Sequence, residues 1–286
     1  MLYLYYRIGF LILRVTSQSV AHAIASMIAN IKCALSKEER QRVRNHLKMV
    51  MPNAKNETLA HLTRGIFKNF GKYLVDFFSL IKNKRDYLKK MVSFEGLENI
   101  NKALEMGRGC IILTGHFGNW ELAGCALAEM GYKINVVALD HKDRRINNLF
   151  INVRKMSGIK VSSTGAAKDA CLAALDRNEI IAILGDRPYG DRGIEVNFFG
   201  RPTVVPRGAA LFSLRKNTPI IAAFAYRKMD SDAGYTASLD SPFVTENRGK
   251  IGCALTGIMQ RYINRFEQYI RKYPDQWYMF GEIWKN

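Results

Sequence analysis

Apolar residues recur at helical spacing through the first ninety positions and then, from Val92 onward, in short runs separated by helical stretches. That change of rhythm reads as a helical region, residues 1–91, followed by an α/β sheet region, residues 92–286. Met1 to Ile31 is aromatic and aliphatic but broken by Arg7, Arg14, the Thr16-Ser17-Gln18-Ser19 run and His22, which predicts an amphipathic helix that either lies on a bilayer or packs as an ordinary helix of the fold. No run of about 18 uncharged apolar residues predicts a spanning helix, and Ile8 to Leu13 is too short for the core of a signal peptide. Ser36 opens a second helix with a capping box to Glu39 that stops at Pro52, and a third runs from about Glu57 to Ile81. Strands are predicted at Val92–Glu95, Cys110–Thr114, Ile134–Leu139, Lys160–Ser162, Ile180–Leu184, Ile194–Phe198, Ile220–Tyr226 and Tyr235–Leu239. Helices fit between them near Leu97–Met106, Asn119–Met130, Asp143–Met156, Ala166–Arg177 and Pro206–Lys216, and a last one covers Gly252–Lys272 before Pro274.

Charge changes this picture most in the helical region. The 286 residues hold 43 Lys and Arg against 25 Asp and Glu, a net charge of +18, with 17 basic and only 5 acidic residues before Ser93. Such a surplus favours an anionic partner, whether nucleic acid, anionic lipid headgroups or an acidic carrier protein. The five cysteines are scattered, with no C-x-x-C, which argues for a reducing compartment and against structural zinc. Cys110 and Cys125 are expected to face the core, and His22, His46, His61 and His141 to be isolated surface or helix-face histidines.

The candidate chemistry gathers at strand ends. Gly115-His116-Phe117-Gly118-Asn119-Trp120-Glu121 joins a buried strand to a helix. On one continuous helix His116 and Glu121 would splay apart, because only i,i+3 and i,i+4 side chains share a face, but the turn between them allows convergence. A histidine and a carboxylate so placed suit general-base chemistry. Gly185-Asp186-Arg187-Pro188 follows the strand at Ile180–Leu184, where α/β proteins commonly carry function. Arg201, in Phe198-Phe199-Gly200-Arg201-Pro202, and Arg207, in Pro206-Arg207-Gly208, are candidates to hold phosphate at a helix start. G-x-S-x-G, G-x-x-x-x-G-K-[ST] and a post-strand G-x-G-x-x-G are all missing.

Taken in order, these blocks resemble the lysophospholipid acyltransferase superfamily, in the branch of the bacterial lipid A biosynthesis (lauroyl/myristoyl) acyltransferases and the mycobacterial phosphatidylinositol mannoside acyltransferase. Gly115 to Glu121 looks like its His-x4-Asp/Glu block; Asp186-Arg187-Pro188, Phe198 to Pro202, Pro206 to Gly208 and the Pro274-x-Gln276-Trp277 ending are similar to its later blocks, so the resemblance covers nearly the whole chain. Many members begin with a clearer transmembrane helix than this one.

The resemblance implies a mixed β-sheet flanked by helices, and acyl transfer from an acyl carrier protein or CoA thioester to a lipid hydroxyl at the cytoplasmic face of the inner membrane. The acceptor it implies first is a lipid A precursor, with a lysophospholipid or glycolipid as the alternative. His116 would be the general base, oriented by Glu121 or by Glu195, while Asn119, Arg154, Asp186, Arg187, Arg201 and Arg207 would bind substrate. The N–H groups near Gly118 and Asn119, or an arginine, would stabilise the oxyanion. No cofactor is expected, and His116 has no companion ligands at zinc spacing. A basic nucleic-acid-binding protein would explain the charge but leave these loop motifs idle, and a hydrolase using His116 and Asp186 would release free fatty acid.

Overall fold

The computed structural model describes residues 2–81, 84–138, 143–163, 165, 167–187, 193–227, 234–245 and 251–284. Five helices come first: α1 (Leu2–Val15), α2 (Gln18–Leu35), α3 (Lys37–Val50), α4 (Asn56–Ser79) and α5 (Lys84–Met91). Strands and helices then alternate as β1 (Val92–Glu95), α6 (Glu98–Leu104), β2 (Cys110–Thr114), α7 (Trp120–Glu129), β3 (Ile134–Ala138), α8 (Arg144–Met156), β4 (Lys160–Ser163), α9 (Ala167–Asp176) and β5 (Ile180–Leu184). A hairpin of β6 (Gly193–Phe198) and β7 (Arg201–Pro206) precedes α10 (Gly208–Lys216), β8 (Ile220–Arg227), β9 (Tyr235–Leu239) and α11 (Ile251–Lys272). Leu139, His141, Ala166 and Pro188, which figure in the sequence reading, lie outside the described residues.

The seven-stranded sheet has the order β1-β9-β8-β2-β5-β3-β4 and is mixed: every neighbouring pair is parallel except β8 with β9. Side chains alternate across a strand, so β2 and β8 feed two separate cores. Ile111, Leu113, Ala222 and Phe224 face α9, α10, α11 and the hairpin, while Ile112, Ala223 and Ala225 face α6, α7 and α8. Cys110 and Cys125 are both fully buried. A third core joins α2, α3 and α4 and takes in Tyr278 from beyond α11.

Several local expectations needed correction. The first apolar segment is two helices, with Ser17 capping the second. The Ser36–Glu39 capping box does not form, because Ser36 also ends α2, its N–H bonding the Lys32 carbonyl at 2.8 Å, and Glu39 pairs with Lys32 instead. Arg40 satisfies the exposed end of α2 by donating to the carbonyls of Cys33 and Ala34. His22 and His46 are not isolated: His22 bonds Asp76 at 2.7 Å, and buried His46 bonds the Met279 carbonyl at 3.2 Å.

Asp76, near the end of α4, is wholly buried and accepts hydrogen bonds from five side chains: Gln18 and His22 of α2, Tyr87 of α5, Arg227 of β8 and Tyr235 of β9. One carboxylate therefore ties the leading helices to the sheet. Burial alone would raise its pKa, but the bonds and charges of His22, the Arg227 guanidinium and the Tyr235 hydroxyl outweigh it and hold the carboxyl below its ordinary value.

Candidate active site

Strand register builds the site. β2 and β5 are parallel neighbours with Thr114 opposite Leu184, and the Gly185 N–H extends the ladder to the Thr114 carbonyl at 2.7 Å. The residues two steps beyond each strand, His116 and Asp186, therefore lie side by side. His116 Nδ1 is 2.8 Å from Asp186 Oδ1, and the His116 backbone N–H donates to Oδ2 at 3.1 Å. Asp186 is completely buried. Burial pushes its carboxyl pKa up, yet the charge and bonds of His116 and the charge of Arg187 hold it below the usual carboxylate value. With Nδ1–H given to that carboxylate, Nε2 carries the lone pair.

The turn is held tightly. Gly118 has φ +58°, and a Cβ there would lie 1.7 Å from the Ala225 carbonyl oxygen, so only glycine fits. The N–H groups of Gly118 and Asn119 donate to the carbonyls of Gln276 and Ala225 at 2.9 and 3.0 Å, and the Tyr278 N–H donates back to the His116 carbonyl at 2.9 Å. Asn119 caps α7 through Oδ1 to the Leu122 N–H. It is wholly buried.

Neither carboxylate expected to orient His116 does so. Glu121 lies in the first turn of α7 and is clasped by Arg154 of α8, with Nε to Oε2 at 3.0 Å and Nη2 to Oε1 at 2.5 Å. Glu195 is exposed on β6, whose inward positions are Val196 and Phe198. Arg201 and Arg207 are exposed as well, the first after a hairpin turn formed by Phe199 (φ +52°) and Gly200 (φ +78°), the second at the start of α10. Positive φ at both central residues is the two-residue turn that matches strand twist, so the Phe-Phe-Gly block acts as hairpin chemistry with Phe198 in the core.

Arg187 is half-buried and donates through Nη2 to the Tyr278 carbonyl, while its Nε is buried with no partner. Burial lowers its pKa, against the raising charge of Asp186. The Trp120 ring stands 5.3 Å from the His116 ring, edge to face, and stacks at 4.7 Å on Tyr73 of α4. Tyr73 and the Gln276–Tyr278 segment were not marked as site residues by the sequence. Their only signal was an apolar helical period and a C-terminal motif.

Beneath α7 a narrow apolar crevice crosses the sheet, with about 90 Å³ of free interior. Ile112, Ala182 and Ala223 form its floor, Gly124 and Leu127 its roof, and Thr114, Trp120, Glu121 and Arg154 its polar end; His116 does not line it but packs on the Trp120 ring. Among the described residues no three His, Cys, Asp or Glu side chains converge as a metal centre would require.

A mixed sheet that carries a His-x4-Glu turn at one strand end and an Asp-Arg pair at the next is the arrangement the acyltransferase blocks of the sequence lead one to expect. The chain belongs to the bacterial lipid A biosynthesis acyltransferase family, whose sequence model matches residues 1–286. It is 23% identical over 283 residues to the phosphatidylinositol mannoside acyltransferase of Mycolicibacterium smegmatis (strain ATCC 700084 / mc(2)155), covering 98% of this chain and 90% of that protein. The phosphatidylinositol mannoside acyltransferase of Mycobacterium tuberculosis (strain CDC 1551 / Oshkosh) is 24% identical over 223 residues, 76% of this chain and 68% of the relative.

Proposed function

We propose that the protein transfers a fatty acyl chain from an acyl carrier protein or CoA thioester to a sugar hydroxyl of an anionic membrane glycolipid, with His116 as general base. The observation that carries this reading is the His116–Asp186 pair, linked to the apolar crevice by Trp120, which lines the crevice and packs edge to face on the His116 ring. His116 Nε2 takes the acceptor's proton as its oxygen attacks the thioester carbon; the C–S bond then breaks and the leaving thiolate receives that proton. The apolar crevice beneath α7 is where the acyl chain enters. A glycolipid acceptor accords with the phosphatidylinositol mannoside named for the relatives and with the lipid A biosynthesis named for the family. The basic surplus suits an acidic carrier protein and an anionic lipid surface alike. Incubating the protein with carrier-bound acyl thioester and phosphate-bearing glycolipid in vesicles should yield one free thiol per acylated glycolipid. Free fatty acid without acylated acceptor would instead mark a hydrolase.

The same reading places the protein peripherally on the cytoplasmic face of the inner membrane. Val20, Met27, Ile28, Ile31 and Leu35 are exposed on α2 and fall within about 100° of arc, and Leu11 and Val15 are exposed on α1. Among the described residues no single helix is long and apolar enough to cross a membrane; α2 and α3 together would be, but they meet at 95°. Residues 1–31 are expected to bind anionic vesicles, and carbonate at high pH to strip the protein from them. Resistance to carbonate would indicate an integral anchor.

A further inference from the structure

Attack on a thioester carbonyl moves a pair of electrons onto its oxygen, and that oxyanion needs a donor that is free when the reaction starts. The turn amides are not free: the N–H groups of His116, Phe117, Gly118 and Asn119 donate to Asp186, Gly115, Gln276 and Ala225, and that of Leu122 to its cap Asn119. Two arginines stand at the site, and their charges are disposed differently. Arg154 is clasped by both oxygens of Glu121, so its charge is spent. Arg187 has no ion pair among the described residues. Its neighbour Asp186 gives both oxygens to His116, and its acceptor is the uncharged carbonyl of Tyr278, the residue whose N–H holds the His116 carbonyl. A guanidinium anchored on the carbonyl of Tyr278, the residue whose N–H holds the His116 carbonyl, and clasped by no carboxylate among the described residues, is preorganised for a developing anion.

We propose that Arg187 is the oxyanion donor of this site: its free guanidinium N–H groups bind the thioester carbonyl oxygen as the acceptor hydroxyl attacks, and release it when the C–S bond breaks. This rests on the acyl-transfer reading above. The balance is complete within the two substrates, since the hydroxyl proton goes through His116 to the thiolate and Arg187 keeps its own protons throughout. The competing donors are the first-turn N–H groups of Trp120 and Glu121, which a helix start leaves without carbonyl partners. The competing role for Arg187 is binding a phosphate of the acyl donor in the ground state.

The test compares the full-length wild type, His116→Ala, Arg187→Lys and Arg187→Met with two acyl donors, a CoA thioester and a phosphate-free N-acetylcysteamine thioester. Transfer by the wild type and its loss in His116→Ala establish the underlying reading separately from the result at Arg187. Arg187→Met is expected to lower kcat by about 10²- to 10³-fold with both donors and to leave KM nearly unchanged, with Arg187→Lys intermediate. A rise confined to KM and to the phosphate-bearing donor would make Arg187 a phosphate ligand and overturn the proposal. An unchanged kcat would hand the oxyanion to the α7 amides. Should Arg187→Met fail to fold, the Lys variant is titrated with a tetrahedral phosphonate analogue of the thioester. Weakening of that anionic analogue by at least about tenfold more than of the thioester supports the assignment, and equal weakening overturns it.

Discussion

Replacing His116 by alanine is expected to lower acyl transfer by about 10³- to 10⁴-fold while the protein still folds. The expectation of an intact fold comes from where the side chain sits. The turn is fixed by main-chain bonds from Gly118, Asn119 and Tyr278, none of which involves the imidazole, and the His116 side chain is partly exposed, at 23%. Asp186→Asn is the companion experiment. An amide can present N–H to Nδ1, which forces the proton onto Nε2 and removes the base without removing the ring; a loss of similar size, about 10³- to 10⁴-fold, is expected. Because the charge of His116 and its hydrogen bonds hold Asp186 below the ordinary carboxylate value despite complete burial, that group stays ionised as pH falls to about 4. The transfer rate should therefore show no limb from Asp186 above that pH. Steady-state rates with a chromogenic thiol readout decide both points, and near-wild-type turnover in His116→Ala would remove the histidine from the mechanism.

The pairing of His116 with Asp186 shows where sequence stops being legible. Both residues were visible as charged positions just past buried strands, and α7 could be read with its Asn119 cap. What chain order does not announce is that β5, rather than β3, lies next to β2. Without that adjacency the nearest carboxylate along the chain, Glu121, was the natural partner, and the residue that claims it, Arg154, is brought in by α8. Long-range pairing also hid β7, whose sequence Arg-Pro-Thr-Val-Val-Pro carries two prolines. It is tolerated because the strand pairs only with β6 in a two-stranded ribbon. Helix α5 was missed for a different reason: Lys84 to Met91 is mostly charged, and among its described side chains the buried ones are Leu88 and Met91.

The largest expected effect on stability lies at Asp76. Truncation to alanine removes the acceptor for five donors at once and leaves the Arg227 guanidinium without its carboxylate, which should cost about 3–5 kcal/mol. For a chain of this size that is a fall in melting temperature of roughly 10 °C. Burial first and then the charge of Asp76 push the hydroxyls of Tyr87 and Tyr235 upward, so both stay protonated as donors to the carboxylate. Asp76→Asn with Arg227→Met should be less damaging than the two single changes summed, because the double variant leaves neither charge unpaired. The pH dependence has a definite sign. A carboxyl depressed in the folded state stabilises above its unfolded pKa of about 3.9 and loses that contribution as pH falls through the lower folded value. The stability gap between wild type and Asp76→Asn should therefore be full at neutral pH and shrink below about pH 4. The loss reaches the active site by a short route: the Arg227 main chain is bonded in both directions by the Gln276 side chain, and the Gln276 carbonyl holds the Gly118 N–H. Transfer in the Asp76 variants should decline before the global melt. Chemical denaturation across pH 3–7 measures the first effect, and a change below about 1 kcal/mol at neutral pH would show that the five bonds carry no net stability.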